Sequence, residues 1–292
     1  MPLVVGYTPH KGDRTPIYLA STLARSSGHD LRIVTVVPGR WPTPVAAGTD
    51  REFARWSQEY GVRAVADAEA AAAELCPDMT SEAVFVSSSS VATGLIEEAD
   101  RVEAPMIVVG SGTDGSWGTV VLSSTADRLL HSSHIPVAVA TRGFRAAHAG
   151  VVHRATCAFR GDEPSREVLT RTATICRDVG ASLRVVTFGV RGRTMYPPEV
   201  LGEEDILDRY VRDTAAAQEE AVAAIRDVAP EKTETAVATG RTWSEALEAV
   251  PWDKGDVLVV GSSSASLMSR MFLGSNATKI IRYSPVPVIV VP

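Results

Sequence analysis

The chain repeats itself. "SGHDLRIVTVV" (27–37) matches "VGASLRVVTFG" (179–189), which sets Gly28 on Gly180 at an offset of 152. "VVGSG…LSSTADRLLHSSHIPVAVA" matches "VVGSS…LGSNATKIIRYSPVPVIVVP", which sets Gly110 on Gly261 and Pro136 on Pro287, both at 151. "VGYTPH" near Val5 faces "CAFRGD" near Cys157 at 152. A near-constant offset across three separated segments means one unit duplicated in tandem. The spacing divides the chain into residues 1–142 and 151–292, with a linker over 143–150 inside "TRGFRAAHAG".

Within each unit, short β-branched runs alternate with helical stretches. The first half predicts strands over 3–7, 31–37, 81–86, 105–110 and 135–140. The second predicts them over 155–159, 183–188, 233–238, 256–261 and 286–291. The runs are nearly continuous in apolar residues, as in strands buried on both faces of a parallel sheet. Between them lie helical stretches such as "PIYLASTLARSSG", "EFARWSQEYGVRAVADAEAAAAEL" and "EEDILDRYVRDTAAAQEEAVAAIRDV". Strands spaced by helices imply right-handed crossovers and a doubly wound α/β sheet. Ligands of such sheets sit beyond the carboxyl ends of the strands, where the strand order reverses.

Composition narrows the partners. With 45% hydrophobic and 22% charged residues, a well-buried core is expected. The net charge of -6 argues against a general nucleic-acid binder, while leaving room for a small anion held by backbone amides. Cys76, Cys157 and Cys176 show no zinc spacing, and so sparse a set fits a reducing compartment. No apolar stretch is long enough to cross a bilayer, and "MPLVVGYTPH" lacks the basic region of a signal peptide. A cytoplasmic protein that does not engage membranes is expected.

"MIVVGSGTDG" (106–115) contains a G-x-G-x-x-G. A dinucleotide fingerprint follows the first strand and has an acid about 20 residues on. Here the glycines follow the fourth strand, and the duplicate keeps only one of them in "GSSSAS". The match is coincidental. What recurs is longer: Gly261 and Ser262 end a strand, a loop follows, and Gly274, Ser275 and Asn276 open a helix. Gly110, Ser111, Ser123, Ser124 and Thr125 hold the same places in the first half. The Ser/Thr/Asn cluster can cap the helix, and free amides at its start make an anion site. Both readings, bare cap and phosphate site, follow from these residue types.

Over nearly the whole chain this arrangement resembles the universal stress protein family, in its tandem two-domain form. The resemblance rests on "VVGSGTDGSWGTVVLSSTADRLLHSSHIPVAVA" and, more closely, on "VLVVGSSSASLMSRMFLGSNATKIIRYSPVPVIVVP". It implies two Rossmann-like units, each a five-stranded parallel sheet with helices on both faces, packed as an intrachain pseudo-dimer. Pairing of "IPVAVA" with "VPVIVV" is expected, which would cover two apolar edges. The resemblance also implies a stress-response role and ATP, or another adenine nucleotide, as ligand rather than required cofactor. Family members that bind ATP use Gly, two residues, Gly, nine residues, Gly-Ser/Thr, with an Asp ending the first strand. The implied nucleotide contacts are Thr8, Val37, Gly110, Ser111, Ser123, Ser124 and Thr125 in the first half. In the second they are Arg160, Gly261, Ser262, Gly274, Ser275 and Asn276.

This chain departs from that pattern. Thr113 and Ser264 stand at the second glycine, Ser123 at the third glycine of the first half, and Thr8 and Arg160 in place of the Asp. Side chains at glycine positions narrow the backbone's approach to a ligand. The second half, which keeps Gly274, is the better candidate. Arg160 reads either as a cation for the phosphate or as a surface partner of Asp162 or Glu163.

No constellation supplies nucleophile, base and oxyanion donors together, so a non-catalytic regulatory protein is expected. His131 and His134 read as surface residues rather than metal ligands, and "SSSS" (87–90) as loop and cap residues. The segment Arg191–Gly202 reads as a lid or a plain loop. Two other functions fit the same residues: a scaffold for an unidentified protein partner that has lost its nucleotide, or an enzyme cleaving a nucleotide's α–β bond. Further association into a homodimer is compatible with either.

Overall fold

The computed structural model describes residues 1–9, 13–39, 47–112, 116–145, 150–190, 203–262 and 274–292. The predicted strands appear as β1 (Leu3–Gly6), β2 (Leu31–Pro38), β3 (Ser81–Ser88), β4 (Ile107–Val109) and β5 (Val137–Val139). The second half supplies β6 (Arg154–Ala158), β7 (Ser182–Val190), β8 (Thr233–Gly240), β9 (Asp256–Gly261) and β10 (Val288–Val291). All ten form one sheet, in the order β3-β2-β1-β4-β5-β10-β9-β6-β7-β8. Pairing is parallel within each half. The halves join through β5 and β10, which run antiparallel with Ala138 opposite Ile289. "IPVAVA" and "VPVIVV" therefore close each other's edges, and Val137, Ala138, Val139, Val288 and Val290 are wholly buried.

The crossovers are α1 (Thr15–Ser27), α2 (Ala47–Leu75), α3 (Val91–Arg101) and α4 (Ser124–Ser132), then α5 (Glu163–Val179), α6 (Glu203–Ala224), α7 (Trp243–Glu248) and α8 (Ser275–Tyr283). Successive strand residues feed opposite layers, as the pleat requires. Val5 packs into the core beneath α1, α2 and α5, while Val4 packs with Ala92, Leu129 and Ile281 of α3, α4 and α8. Each of these two large cores draws residues from both halves, while a small third cluster of Val186, Ala238 and Val250 lies within the second.

The glycines that betrayed the duplication have a shared job. Gly28 (φ 69°) and Gly180 (φ 71°) end α1 and α5 in the left-handed conformation, which side chains resist. The polar pairs repeat too. Thr35 donates to the carbonyl of Tyr7 and Thr187 to that of Phe159. Arg32 reaches Glu82, and Arg184 reaches Glu234. One pairing differs: the Tyr7 hydroxyl donates to Asp67 at 2.8 Å, whereas Phe159 has no hydroxyl, and Gln218 donates to Thr187 instead.

Candidate functional site

The strand order reverses at β1/β4 in the first half and at β6/β9 in the second, because α1 and α5 cross on one face and α3 and α7 on the other. The chain splays apart there, and the loops beyond the strands form the two candidate sites. The sequence-expected residues divide between them, but the two places are built differently.

In the first half the loop after β4 turns back on itself. Gly112 N–H donates to the Val121 carbonyl at 2.7 Å. The Ser111 hydroxyl is used twice, donating to that carbonyl at 3.1 Å and accepting from Val121 N–H at 2.6 Å. The G-x-G therefore opens no helix. α4 starts only at Ser124, where Ser123 is the cap and its hydroxyl accepts from Ala126 N–H at 3.1 Å. Ser124 and Thr125 occupy the first turn. One of the helix's free amides is thus already satisfied by the protein.

A carboxylate also faces this switch point. Asp13 Oδ1 accepts from the amide and hydroxyl of Thr15 at 3.0 and 2.6 Å, anchoring the start of α1. A Cβ added to Gly110 would lie 2.5 Å from Asp13 Oδ2. Gly110 is thus needed for this close approach, which sets a carboxylate beside the end of β4. The sequence reading missed Asp13, although an acid just ahead of Thr-Pro is a helix-start signature. Thr8 is exposed beyond β1, and Val37 is 1% exposed near the end of β2.

In the second half Gly261 ends β9, and its added Cβ would meet Val168 Cγ2 of α5 at 2.8 Å, an apolar neighbour instead of a carboxylate. Ser262 N–H donates to the Val291 carbonyl at 2.8 Å, tying the strand end to β10. The expectation that Ser/Asn residues cap the next helix fails here. α8 begins at Ser275, so the cap position falls on Gly274, which has no side chain to offer, and no side-chain cap bond is made. Ser275 and Asn276 are exposed in the first turn. The amides of this turn point outward along the positive end of the helix dipole.

Arg160 follows β6 at this end of the sheet. Its Nη2 lies 2.5 Å from Asp162 Oδ2, both side chains being about half exposed. Asp162 caps α5 through Ser165 N–H at 3.1 Å. Partial burial opposes the charge on Asp162, but the bonds from Ser165 and the Arg160 guanidinium outweigh it and hold the carboxyl below its usual range. An exposed pair of this kind is worth about 0–1 kcal/mol, so the guanidinium is readily drawn to another anion.

Thr113, Ser264 and the segment 191–202 lie outside the described residues. The remaining candidates take ordinary places. His134 bonds Asp100 at 2.8 Å and His131 the Asp127 carbonyl at 2.7 Å, both on the surface. Ser90, last of "SSSS", caps α3 by accepting from Thr93 N–H at 3.1 Å. Among the described residues, no group of three or more His, Cys, Asp or Glu could hold a metal ion. No described helix is long and apolar enough to cross a membrane.

Ten strands in one doubly wound sheet, with two switch points related by an internal repeat, define a tandem Rossmann-like α/β protein. The pattern of the universal stress protein family matches residues 1–141 and again 152–292, and the chain belongs to that family. It is 36% identical over 294 residues to universal stress proteins of Mycobacterium tuberculosis and Mycobacterium bovis, covering 100% of both chains in each case. Its fold is similar to that of a universal stress protein from Archaeoglobus fulgidus, at a TM-score of 0.58 and 16% identity over 99% of this chain and 97% of that one. A protein of unknown function from Pseudomonas aeruginosa has a similar fold at 0.59 and 13%, over 99% and 92%.

Proposed function

We propose that the second half takes the phosphates of an adenine nucleotide on the open N-terminus of α8, one nucleotide per chain, and that the first half has closed its equivalent place. What supports this reading above all is the contrast between Gly274, which has no side chain to offer the first-turn amides of α8, and Ser123, whose hydroxyl occupies one of those of α4. Gly261, Ser262, Ser275 and Asn276 surround the phosphates, and Arg160 exchanges Asp162 for them. In the first half Asp13 repels an anion, and Ser111 is spent on its own loop. Residues 1–142 and 151–292 act as two domains, of which the first is a scaffold for the second. The protein serves the stress response by reporting nucleotide to a partner, without catalysis of its own. Its three buried free thiols suit the reducing cytoplasm.

Native mass spectrometry of the full chain with ATP, ADP, AMP and cyclic AMP tests this. One nucleotide per chain is expected. Asp13→Asn keeps an oxygen for Thr15 but removes the charge, and is expected to add a weak second occupancy. An unliganded chain at millimolar nucleotide would leave the scaffold reading in place of this one.

A further inference from the structure

On the sheet face covered by α1 and α5, the helical layer parts between the carboxyl end of α1 and the flank of α5. The gap is a cleft of about 470 Å³. Its floor is aliphatic, made by Ala155 of β6, Val257 and Val259 of β9, and Ile289 and Val291 of β10. The first half closes it with Leu3, Leu23 and Met106. Neither half owns the cleft. Small-molecule pockets span roughly 300–1,000 Å³ and favour such junctions between units.

The interior offers a ligand few polar groups. The hydroxyls of Ser26 and Ser27 are spent on the carbonyls of Thr22 and Leu23 in their own helix. Burial pushes the Cys176 thiol up to about 11, so it stays neutral and serves as apolar lining rather than as a nucleophile. The lip is different. Ile175 stands 59% exposed beside this apolar floor. Arg171, one turn earlier on the same face of α5, is exposed and has no hydrogen-bond or ion-pair partner among the described residues. Neighbouring cations are engaged: Arg25 with Asp78, Arg166 with Glu220 and Arg177 with Asp178. His29 lies on the opposite lip. The one carboxylate among the described lining residues, Asp178, is the partner of Arg177.

An aliphatic body with a cationic lip is complementary to one kind of small molecule. We propose that this cleft binds an amphipathic carboxylate, its apolar chain against β9 and β10 and its carboxylate on Arg171. The chain displaces water from the floor, and the guanidinium supplies a charge-assisted hydrogen bond that a free lip cation is placed to make. The site shares no residue with the start of α8, so it stands whether or not the nucleotide reading does.

Calorimetric titration of the full-length protein with dodecanoate, kept below its micellar concentration and without nucleotide, tests the proposal. Dodecanol and dodecylammonium serve as comparators. Saturable binding at one per chain is expected, with dodecanoate tightest. Arg171→Glu should weaken dodecanoate by about tenfold and reverse its order with dodecylammonium. Ile175→Asp should weaken dodecanoate and dodecanol alike. Both positions are exposed, and an unchanged melting temperature would confirm that the variants fold. Absence of saturable dodecanoate binding overturns the proposal, as does affinity unmoved by either variant, or dodecanol binding as tightly as dodecanoate.

Discussion

At the scale of the residue, one atom group separates the two copies of a helix start: the hydroxyl of Ser123 caps α4, and Gly274 has no side chain with which to cap α8. Gly274→Ser installs that hydroxyl. Stability should rise by a few tenths, to roughly 0.5 kcal/mol, because serine is the slightly better cap. Nucleotide affinity should fall by about tenfold as an amide is taken from the phosphate. Thermal melting and calorimetric titration read the two effects separately, and an unchanged affinity would remove α8 from the site. Tyr7 supports a second prediction. Burial first, and its hydrogen bond to Asp67 second, push the phenol up to about 12. The unfolded chain loses this proton near pH 10, so stability is full below that pH and is lost as pH rises through about 12. Tyr7→Phe, the residue the second half already carries at Phe159, should flatten that alkaline decline. Denaturant midpoints at about pH 8 and about pH 11 compare the slopes, and an equally steep decline in the variant would clear Tyr7 of it.

At the scale of the element, the periodicity of the sequence located every strand of the sheet, since buried parallel strands are short β-branched runs whatever their neighbours. Helix starts were less legible. "LGSN" and "LSST" look alike as small polar clusters, yet α8 places glycine at its cap position and α4 places serine there. A shift of one residue decides whether a side chain faces the amides, and propensity does not resolve one residue. The short α7, six residues from Trp243, is likewise set by docking: Leu247 is fully buried and Trp252 Nε1–H donates to the Leu247 carbonyl at 2.8 Å. Gly61 tests tertiary override of propensity in α2. Alanine is the better helix former by about 1 kcal/mol. A Cβ there would lie 2.5 Å from Cγ of Phe85 on β3, so Gly61→Ala should destabilise the protein by about 1–2 kcal/mol instead. Adding Phe85→Leu should recover part of the loss in urea titrations. A stabilised single variant would mean that α2 moves off β3 at little cost.

At the scale of the whole molecule, the duplicated units are not beads on a string. β5 and β10 make the sheet continuous, and both cores cross the junction. Calorimetry should therefore show a single unfolding transition, with calorimetric and van't Hoff enthalpies in a ratio of about one. Ala138 is wholly buried in β5, opposite Ile289 of β10. Ala138→Pro removes a ladder donor there and should cost about 3 kcal/mol or more, splitting the transition into two. A single sharp transition surviving in the variant would show that the cores alone couple the halves.

The sequence alone determined the duplication, the ten strands and the doubly wound class, because repeats, periodicity and helix-ending glycines are local properties of the chain. It also named the small residues that end β4 and β9 and open α4 and α8. Only the tertiary structure decided that the two candidate sites differ in charge and in space. The carboxylate of Asp13 comes to Gly110 across α1 and β4, nearly a hundred positions apart in the chain. The apolar cleft needs strands and helix walls from both halves. Charge and space at a site depend on side chains brought together from distant segments, and a pattern read along one dimension does not contain their distances.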